Sequence, residues 1–408
     1  MKKKLKIALF DQKNNAGGGE RFTKKILENI VDYTDEYSID YYGFSNLGNI
    51  KKSNKKKNKI NFFPLNSLKL RSKGFFKIGK SNKLISTLQD RLKNYTTHLP
   101  SFISGDLKKE MEEKLNKYDV VLFLWPYFIN FPKIKARKII ILHDFNFKYY
   151  FSGQSTFNKN RIENLNKSMK IWIDNSDVIV TSNFMKKELF KFYPNFKNRV
   201  RIIRMGSLAS TNTKKKKNFN FLKKPFILCP ASTLGHKNIS SLIKAFDIIR
   251  KKNNNINLVF TGPGTEILNG INVKNYLEIT DNYNNFQNIF GLGYIEDEDI
   301  NHLIKKAKVV VNCSLYEPGN GSGGDAWKIG TPVAMSNIPS FKEQLSFLDV
   351  KAELFDPANP KSIAKKVNNI LLMNKFKKNK NINHSKKMMK KVSWNLIIKD
   401  YIKFLDIK

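Results

Sequence analysis

The run Tyr316-Glu317-Pro318-Gly319-Asn320-Gly321-Ser322-Gly323-Gly324-Asp325-Ala326-Trp327 holds four glycines within six residues, a density that no packed core requires. Backbone N–H groups in such a loop can wrap an anion, and a helix opening at its end would set a positive dipole end behind it. The pattern predicts a loop over 319–324, a helix over about 325–329 and a strand at 332–335. Two acids, Glu317 and Asp325, flank the glycines. Carboxylates beside a backbone nest suit neutral hydroxyls, as on a sugar or ribose, while the amides of Gly321, Ser322, Gly323 and Gly324 take the charge. A surface loop with no ligand is the plainer alternative.

Strands alternate with helices on either side of this run. Upstream of it the pattern predicts strand 226–229, helix 239–251, strand 257–261, a strand near 288–290, helix 297–306 and strand 309–311. The first half repeats the scheme with strands 5–10, 37–43, 120–125, 139–142, 178–181 and 200–203. Helices there fall at 20–31, 107–117, 158–175 and from about 183. Such alternation implies an α/β fold with parallel, doubly wound sheets, here twice over. Between the halves, 207–224 turns Lys-, Asn- and Thr-rich and is closed by Pro225, as a linker would be. The expected organisation is domain 1–206, linker 207–224, domain 225–390, and a terminal segment 391–408 with an amphipathic helix from Trp394 to Leu405.

A length of 408 residues with 41% hydrophobic content suits two or three domains with real cores. The chain contains no apolar run of about 18 residues, so no spanning helix is expected, and a cytoplasmic protein is. Cys229 and Cys313 are too few for a disulfide framework or a zinc cluster. The net charge of +40 comes from 74 basic residues of which only nine are Arg. Bidentate contacts to guanine and phosphate favour Arg, so specific nucleic-acid recognition is not expected. Basic stretches at 51–60, 69–83 and 106–117 could rest on an anionic membrane, or be solvated faces.

In open α/β sheets ligands gather beyond the carboxyl ends of the strands, which directs attention to four further loops. Gly17-Gly18-Gly19-Glu20-Arg21 allows close backbone approach to a ligand, or simply a tight strand-to-helix turn. His143-Asp144 ends a buried strand, where a neutral imidazole could donate to a hydroxyl or be satisfied structurally. Ser232-Thr233-Leu234-Gly235-His236-Lys237-Asn238 places a Lys at a helix start, fit for a diphosphate. Gly262-Pro263-Gly264 closes another strand. The five histidines form no metal-ligand cluster, and Asp297-Glu298-Asp299 opens a predicted helix, where acids are favoured by the dipole.

Taken in order, these motifs resemble the retaining sugar-nucleotide glycosyltransferases of family 4, which have the GT-B fold. Gly18-Gly19-Glu20-Arg21 resembles their early glycine loop, and His236-Lys237-Asn238 their Lys-Asn helix start. Val180-Thr181-Ser182-Asn183-Phe184 and Arg201-Ile202-Ile203-Arg204-Met205-Gly206 resemble the close of their first domain. Gly291-Leu292-Gly293-Tyr294-Ile295 is similar to the turn flanking their nucleotide base. Ser314 through Val333 looks like their Glu-x7-Glu block with its trailing Gly-Thr-Pro-Val.

The resemblance implies two Rossmann-like domains facing across a cleft, with the terminal helix packing back on the first. It implies a nucleotide-diphosphate sugar as donor, transfer of a hexose-type sugar with retention, no metal and no cofactor. The acceptor would be a glycan or a lipid-linked glycan, in cell-surface polysaccharide assembly. Lys237 and the Gly321–Gly324 amides would hold the leaving diphosphate, Glu317 the sugar hydroxyls and Asp325 the ribose. Ser232, His236, Gly262, Tyr294 and Ile295 would line the donor site, and His143, Gly18 and Gly19 would close it. The chain departs from the family in three places, one being that the residues after Glu317 are not its commonest Gly-Phe-Gly. Asp325 stands where the family has Glu, and Ser232 stands where it has the Arg of the phosphate clamp, leaving His236 or another Lys as the replacement. A nucleotide-sugar epimerase of the same fold, or a polyanion-binding protein, are the alternatives.

Overall fold

The computed structural model of the protein describes residues 4–11, 13–14, 18–43, 60–65, 101–102, 107–126, 129–149, 159–209, 219, 223–269, 273 and 286–407. The basic stretches at 51–59 and 69–83, Gly17, and most of the expected linker lie outside them. The described residues form two compact units, 1–204 with 394–408, and 205–393.

In the first unit seven strands form one parallel sheet. They are β1 (Lys6–Phe10), β3 (Ser38–Gly43), β4 (Asn61–Pro64), β6 (Val120–Phe123), β7 (Arg137–Leu142), β8 (Asp177–Val180) and β9 (Val200–Ile202), ordered β4-β3-β1-β6-β7-β8-β9. The short β2 (Lys13–Asn14) and β5 (Ser101–Phe102) pair separately. In-register Tyr41, Leu9, Leu122 and Ile139 make one continuous buried row across the sheet. The helices are α1 (Gly18–Ile30), α2 (Lys109–Leu115), α3 (Asn146–Tyr149), α4 (Lys159–Asp174) and α5 (Asn183–Phe192). Ser182 caps α5 by accepting from the Met185 N–H at 3.1 Å, which satisfies one of the open donors of a helix start. The chain's last helix, α12 (Trp394–Leu405), belongs to this unit. Trp394 is a core anchor there, its ring 5.9 Å from that of Phe22 on α1. At the other end of α12, the Arg137 guanidinium donates to the carbonyls of Phe404, Leu405 and Ile407 while pairing with Asp177 at 2.6 Å. A cation on the open carbonyls of a helix end satisfies groups that the helix itself leaves unpaired.

The second unit carries a six-stranded parallel sheet. Its strands are β10 (Phe226–Pro230), β11 (Asn257–Thr261), β12 (Ile289–Gly291), β13 (Val309–Asn312), β14 (Val333–Ser336) and β15 (Glu353–Phe355), ordered β12-β11-β10-β13-β14-β15. Side chains alternate across a strand, so this sheet builds two cores. The row Leu258-Ile227-Val309 packs under α6 (Ile239–Lys252) and α10 (Pro360–Leu371). The row Val259-Leu228-Val310-Val333 packs under α7 (Asp297–Lys306), α8 (Gly321–Ile329) and α9 (Pro339–Leu348). Helix α11 (Lys375–Met389) follows α10. Both faces being covered explains why these strands read as unbroken apolar runs. Strand order reverses at β10, between β11 and β13, which places the loops after β10 and β13 at the point where such sheets bind ligands.

Two boundaries differ from expectation. Helix α8 begins at Gly321, so the glycines read as a loop form its first turn. Residues 207–209, read as linker, are buried within the second unit.

Candidate active site

The loop after β10 and the loop after β13 meet at the switch point. Lys237 ends the short helical turn Gly235–Lys237, and Asn238 follows in the left-handed conformation at φ 54°. Asn tolerates that conformation better than most residues, because its short polar side chain bonds locally. Here the Asn238 amide donates to the carbonyls of Cys313 at 3.1 Å and Pro357 at 2.8 Å. The Leu315 N–H donates to the His236 carbonyl at 2.7 Å, which ties the two loops together again.

That scaffold brings Lys237 and Glu317, eighty residues apart, into a direct ion pair through Nζ and Oε1. Ser314 Oγ donates to the same oxygen at 2.8 Å. Glu317 Oε2 accepts from no described residue. The pair is largely buried, with 23% of the Lys237 side chain and 10% of the Glu317 side chain exposed.

Helix α8 starts beside this pair. Asn320 is its N-cap, and Asn320 Oδ1 accepts from the Gly323 N–H at 2.8 Å. Gly323 is sterically required, since a Cβ there would stand 2.6 Å from Asn320 Nδ2. Gln344 grips the cap from outside, its Oε1 accepting from the Asn320 N–H at 2.6 Å. The Gly324 N–H donates to the Asn320 carbonyl at 3.0 Å. Of the four amides expected to face a phosphate, those of Gly323 and Gly324 are therefore spent inside the helix. The N–H groups of Gly321 and Ser322 are the open donors, as the first positions of a helix leave them.

Asp325 is buried within the second unit rather than open to a ribose. Its Oδ1 accepts from Ser207 Oγ at 2.8 Å and from the Ala209 N–H at 2.8 Å, and Lys328 Nζ donates to the Ala209 carbonyl at 2.8 Å. The shorter acid thus anchors the segment that enters this unit.

His236 is also buried. Burial first, then the neighbouring Lys237, push its imidazole down to about 4 against the opposing pull of Glu317, so it is neutral near pH 7. A neutral imidazole supplies no positive charge beside Lys237 in this arrangement. Ser232 lies in the same loop, next to Thr233, whose N–H donates to the Pro263 carbonyl at 3.3 Å. Gly262 donates its N–H to the Gly293 carbonyl at 2.7 Å, joining the turns after β11 and β12. Tyr294 follows that turn, whereas the Ile295 side chain packs in the core beside Val259 and Ile300.

The remaining residues belong to the first unit. Gly18 and Gly19 are the first two residues of α1, Gly18 exposed and Gly19 buried. His143 follows β7; its ring stacks on Trp125 at 3.6 Å between centroids and meets the edge of Phe22 at 5.5 Å. Its Nε2 lies 2.7 Å from the Leu124 carbonyl, so Nε2 carries the proton and Nδ1 is the acceptor in the neutral ring. Asp297, Glu298 and Asp299 occupy the first turn of α7. Among the described residues no three His, Cys, Asp or Glu side chains converge as a metal site would need, and no helix is long and apolar enough to cross a membrane.

Sequence reasoning did not single out Ser314, Asn320, Ser207 or Gln344. Asn320 alone had a readable signal: an Asn immediately before a helix, with an unencumbered glycine three residues on.

Two parallel α/β sheets of this kind make up the GT-B fold, and a lysine–carboxylate pair and a helix start lie at the switch point of the second. Residues 210–395 match the family model of glycosyl transferases group 1. It is 26% identical over 240 residues to an uncharacterized glycosyltransferase of Methanocaldococcus jannaschii, covering 56% of this chain and 59% of that one. A second match, an uncharacterized glycosyltransferase of Bacillus subtilis, is 24% identical over 42% of this chain and 45% of that one. The matches thus span less than two thirds of the length of these curated relatives. Among solved structures, sucrose-phosphate synthase of Thermosynechococcus elongatus superposes with a TM-score of 0.65 at 16% identity, covering 98% of both chains. Anabaena HepE in complex with UDP-glucose gives 0.60 at 14% identity, covering 98% of this chain and 100% of that one. WaaG, a glycosyltransferase involved in lipopolysaccharide biosynthesis, gives 0.61 at 10% identity over 99% and 100%.

Proposed function

We propose that the protein transfers a hexose-type sugar from a nucleotide-diphosphate sugar to a glycan or lipid-linked acceptor, with retention of configuration and without metal or cofactor. The Lys237–Glu317 pair beside the open amides of Gly321 and Ser322 carries this reading. As the bond between the anomeric carbon and the diphosphate oxygen breaks, negative charge grows on the leaving oxygen. Lys237 Nζ and the two amides supply donors to it, and the α8 dipole adds to their field. Losing one such donor costs about 2.7–4 kcal/mol of barrier, roughly 10²–10³ in rate. Glu317 fixes the Lys237 ammonium through Oε1 and offers Oε2 to a sugar hydroxyl. The acceptor hydroxyl attacks the face the diphosphate leaves, and its proton passes to the departing phosphate oxygen. His143, with Nδ1 as the acceptor of its neutral ring, is assigned to the transferred sugar.

The known binding of UDP-glucose by the structural neighbour HepE supports the donor class. The protein works in the cytoplasm, with the +40 charge favouring peripheral association with an anionic membrane where a lipid-linked acceptor would lie. The test is incubation of purified protein with UDP-, GDP- and ADP-hexoses and lipid-linked acceptor mixtures, followed by proton NMR of the product. Appearance of an α-linked glycoside from an α-linked donor supports the proposal. Inverted product, or free epimerised sugar with no acceptor used, contradicts it.

A further inference from the structure

The turns that end β11 and β12 hold a carboxylate oxygen with no partner among the described residues. Glu266 sits in the short helical turn Thr265–Ile267, directly after β11. Its Oε2 is closed off from solvent and has no hydrogen-bond partner among the described residues. That oxygen lies 3.0 Å from where a side chain on Gly293 would begin. The surrounding amides cannot turn to satisfy it, because they are already engaged. The Gly293 N–H donates to Thr265 Oγ1 at 3.0 Å, the Gly262 N–H to the Gly293 carbonyl at 2.7 Å and the Gly291 N–H to Asn269 Oδ1 at 3.1 Å. Thr265 Oγ1 in turn donates to the Gly262 carbonyl at 2.8 Å. That frame leaves one Glu266 carboxylate oxygen without a partner among the described residues, a cost that a donor brought by a ligand would remove.

The position indicates which part of a ligand that is. A diphosphate at Lys237 and the α8 start stands over the ends of β10 and β13. Glu317 lies on the β13 side and takes the sugar, so the nucleoside extends the other way, over the ends of β11 and β12. The loop after β10 abuts that region, Thr233 donating to Pro263.

We infer that Glu266 reads the nucleobase of the donor and selects guanine. This inference rests on the donor reading given under Proposed function. Guanine presents its ring N1–H and its exocyclic amine side by side, two donors that one carboxylate accepts in parallel. Uracil offers a single ring N–H between two carbonyl oxygens, which repel a carboxylate. Adenine and cytosine each set an amine beside a ring nitrogen that accepts. A buried acceptor therefore discriminates strongly against every base but guanine, since the wrong base leaves it unpaired.

Calorimetric titration of the full chain with GDP, IDP, UDP and ADP tests this, beside the Glu266→Gln variant. GDP should bind about 100-fold more tightly than UDP or ADP, and IDP, which lacks the exocyclic amine, about tenfold more weakly than GDP. Glu266→Gln should weaken GDP by about 30-fold and leave UDP within about threefold, with an unchanged melting temperature to show that it is folded. UDP or ADP binding as tightly as GDP, or a GDP preference that survives Glu266→Gln, overturns the inference. If UDP binds as tightly as GDP and Lys237→Ala weakens both, the donor reading stands while the guanine inference falls. If no nucleoside diphosphate binds, both fall.

Discussion

Replacing Lys237 by Met keeps most of the length and volume of the side chain and removes its charge and its donors. In the wild type the ammonium pairs with Glu317, whose remaining partner at that oxygen is Ser314 Oγ. Breaking a fully buried pair by removing one partner costs about 3–5 kcal/mol, and a surface pair about 0–1. With side-chain exposures of 23% and 10% this pair falls between those limits, so Lys237→Met should destabilise the second unit by about 2 kcal/mol. For a unit of this size that corresponds to a drop of about 4–8 °C in melting temperature. The double variant Lys237→Met/Glu317→Gln removes the stranded carboxylate as well and should recover more than half of the loss. Its affinity for nucleoside diphosphates should stay as poor as that of the single variant, because the phosphate's cation is gone in both. Urea melts and calorimetric titration read the two quantities independently. A single variant as stable as wild type, or a double variant less stable than the single, would refute the pairing argument. A double variant that regains nucleotide binding would refute the role given to Lys237.

Other substitutions test the frame around the site. Asp325→Ala should cost about 2–3 kcal/mol in urea melts, because the Ala209 N–H and Ser207 Oγ lose a buried acceptor, whereas Asp325→Asn keeps an acceptor oxygen and should cost clearly less. Gly291→Ala should cost about 3 kcal/mol, since its Cβ would stand 1.7 Å from the Thr265 carbonyl oxygen. His236 predicts an acid limb in stability. Its folded value, near 4, lies below the ordinary 6.5 of the unfolded chain, so the unfolded state binds the extra proton. Stability from this group is complete above about pH 6.5 and falls towards pH 4 by up to about 1.4 kcal/mol per unit, and His236→Gln should flatten that slope. His143→Ala should lower turnover while leaving nucleoside diphosphate affinity unchanged in calorimetry.

The alternation of apolar runs with helical patterns made the two sheets readable, and the helices at 297–306 and 394–405 fall where their spacing puts them. The start of α8 was misplaced because four glycines have little intrinsic helix propensity, and tertiary structure overrides that weakness here. The Asn320 side chain caps the turn, and only a glycine at 323 leaves it room. The strand β15 and helices α9 to α11 escaped notice, the last because its Lys- and Asn-rich surface hides the few residues it buries. Contacts between distant positions carry no local signal at all. Nothing in the sequence pairs Asp325 with Ser207, 118 residues away, or says that burial will keep His236 neutral. That Lys237 and Glu317 serve one site was implied only through likeness to a family, and their direct pairing had no signal in the sequence.

Calorimetric titration of the intact protein with nucleoside diphosphates, beside Lys237→Ala, tests the central claim most directly. The account predicts micromolar binding of at least one of them to the wild type, weakened about 30-fold or more by Lys237→Ala. Absence of binding, or a variant that binds as tightly as the wild type, would contradict it.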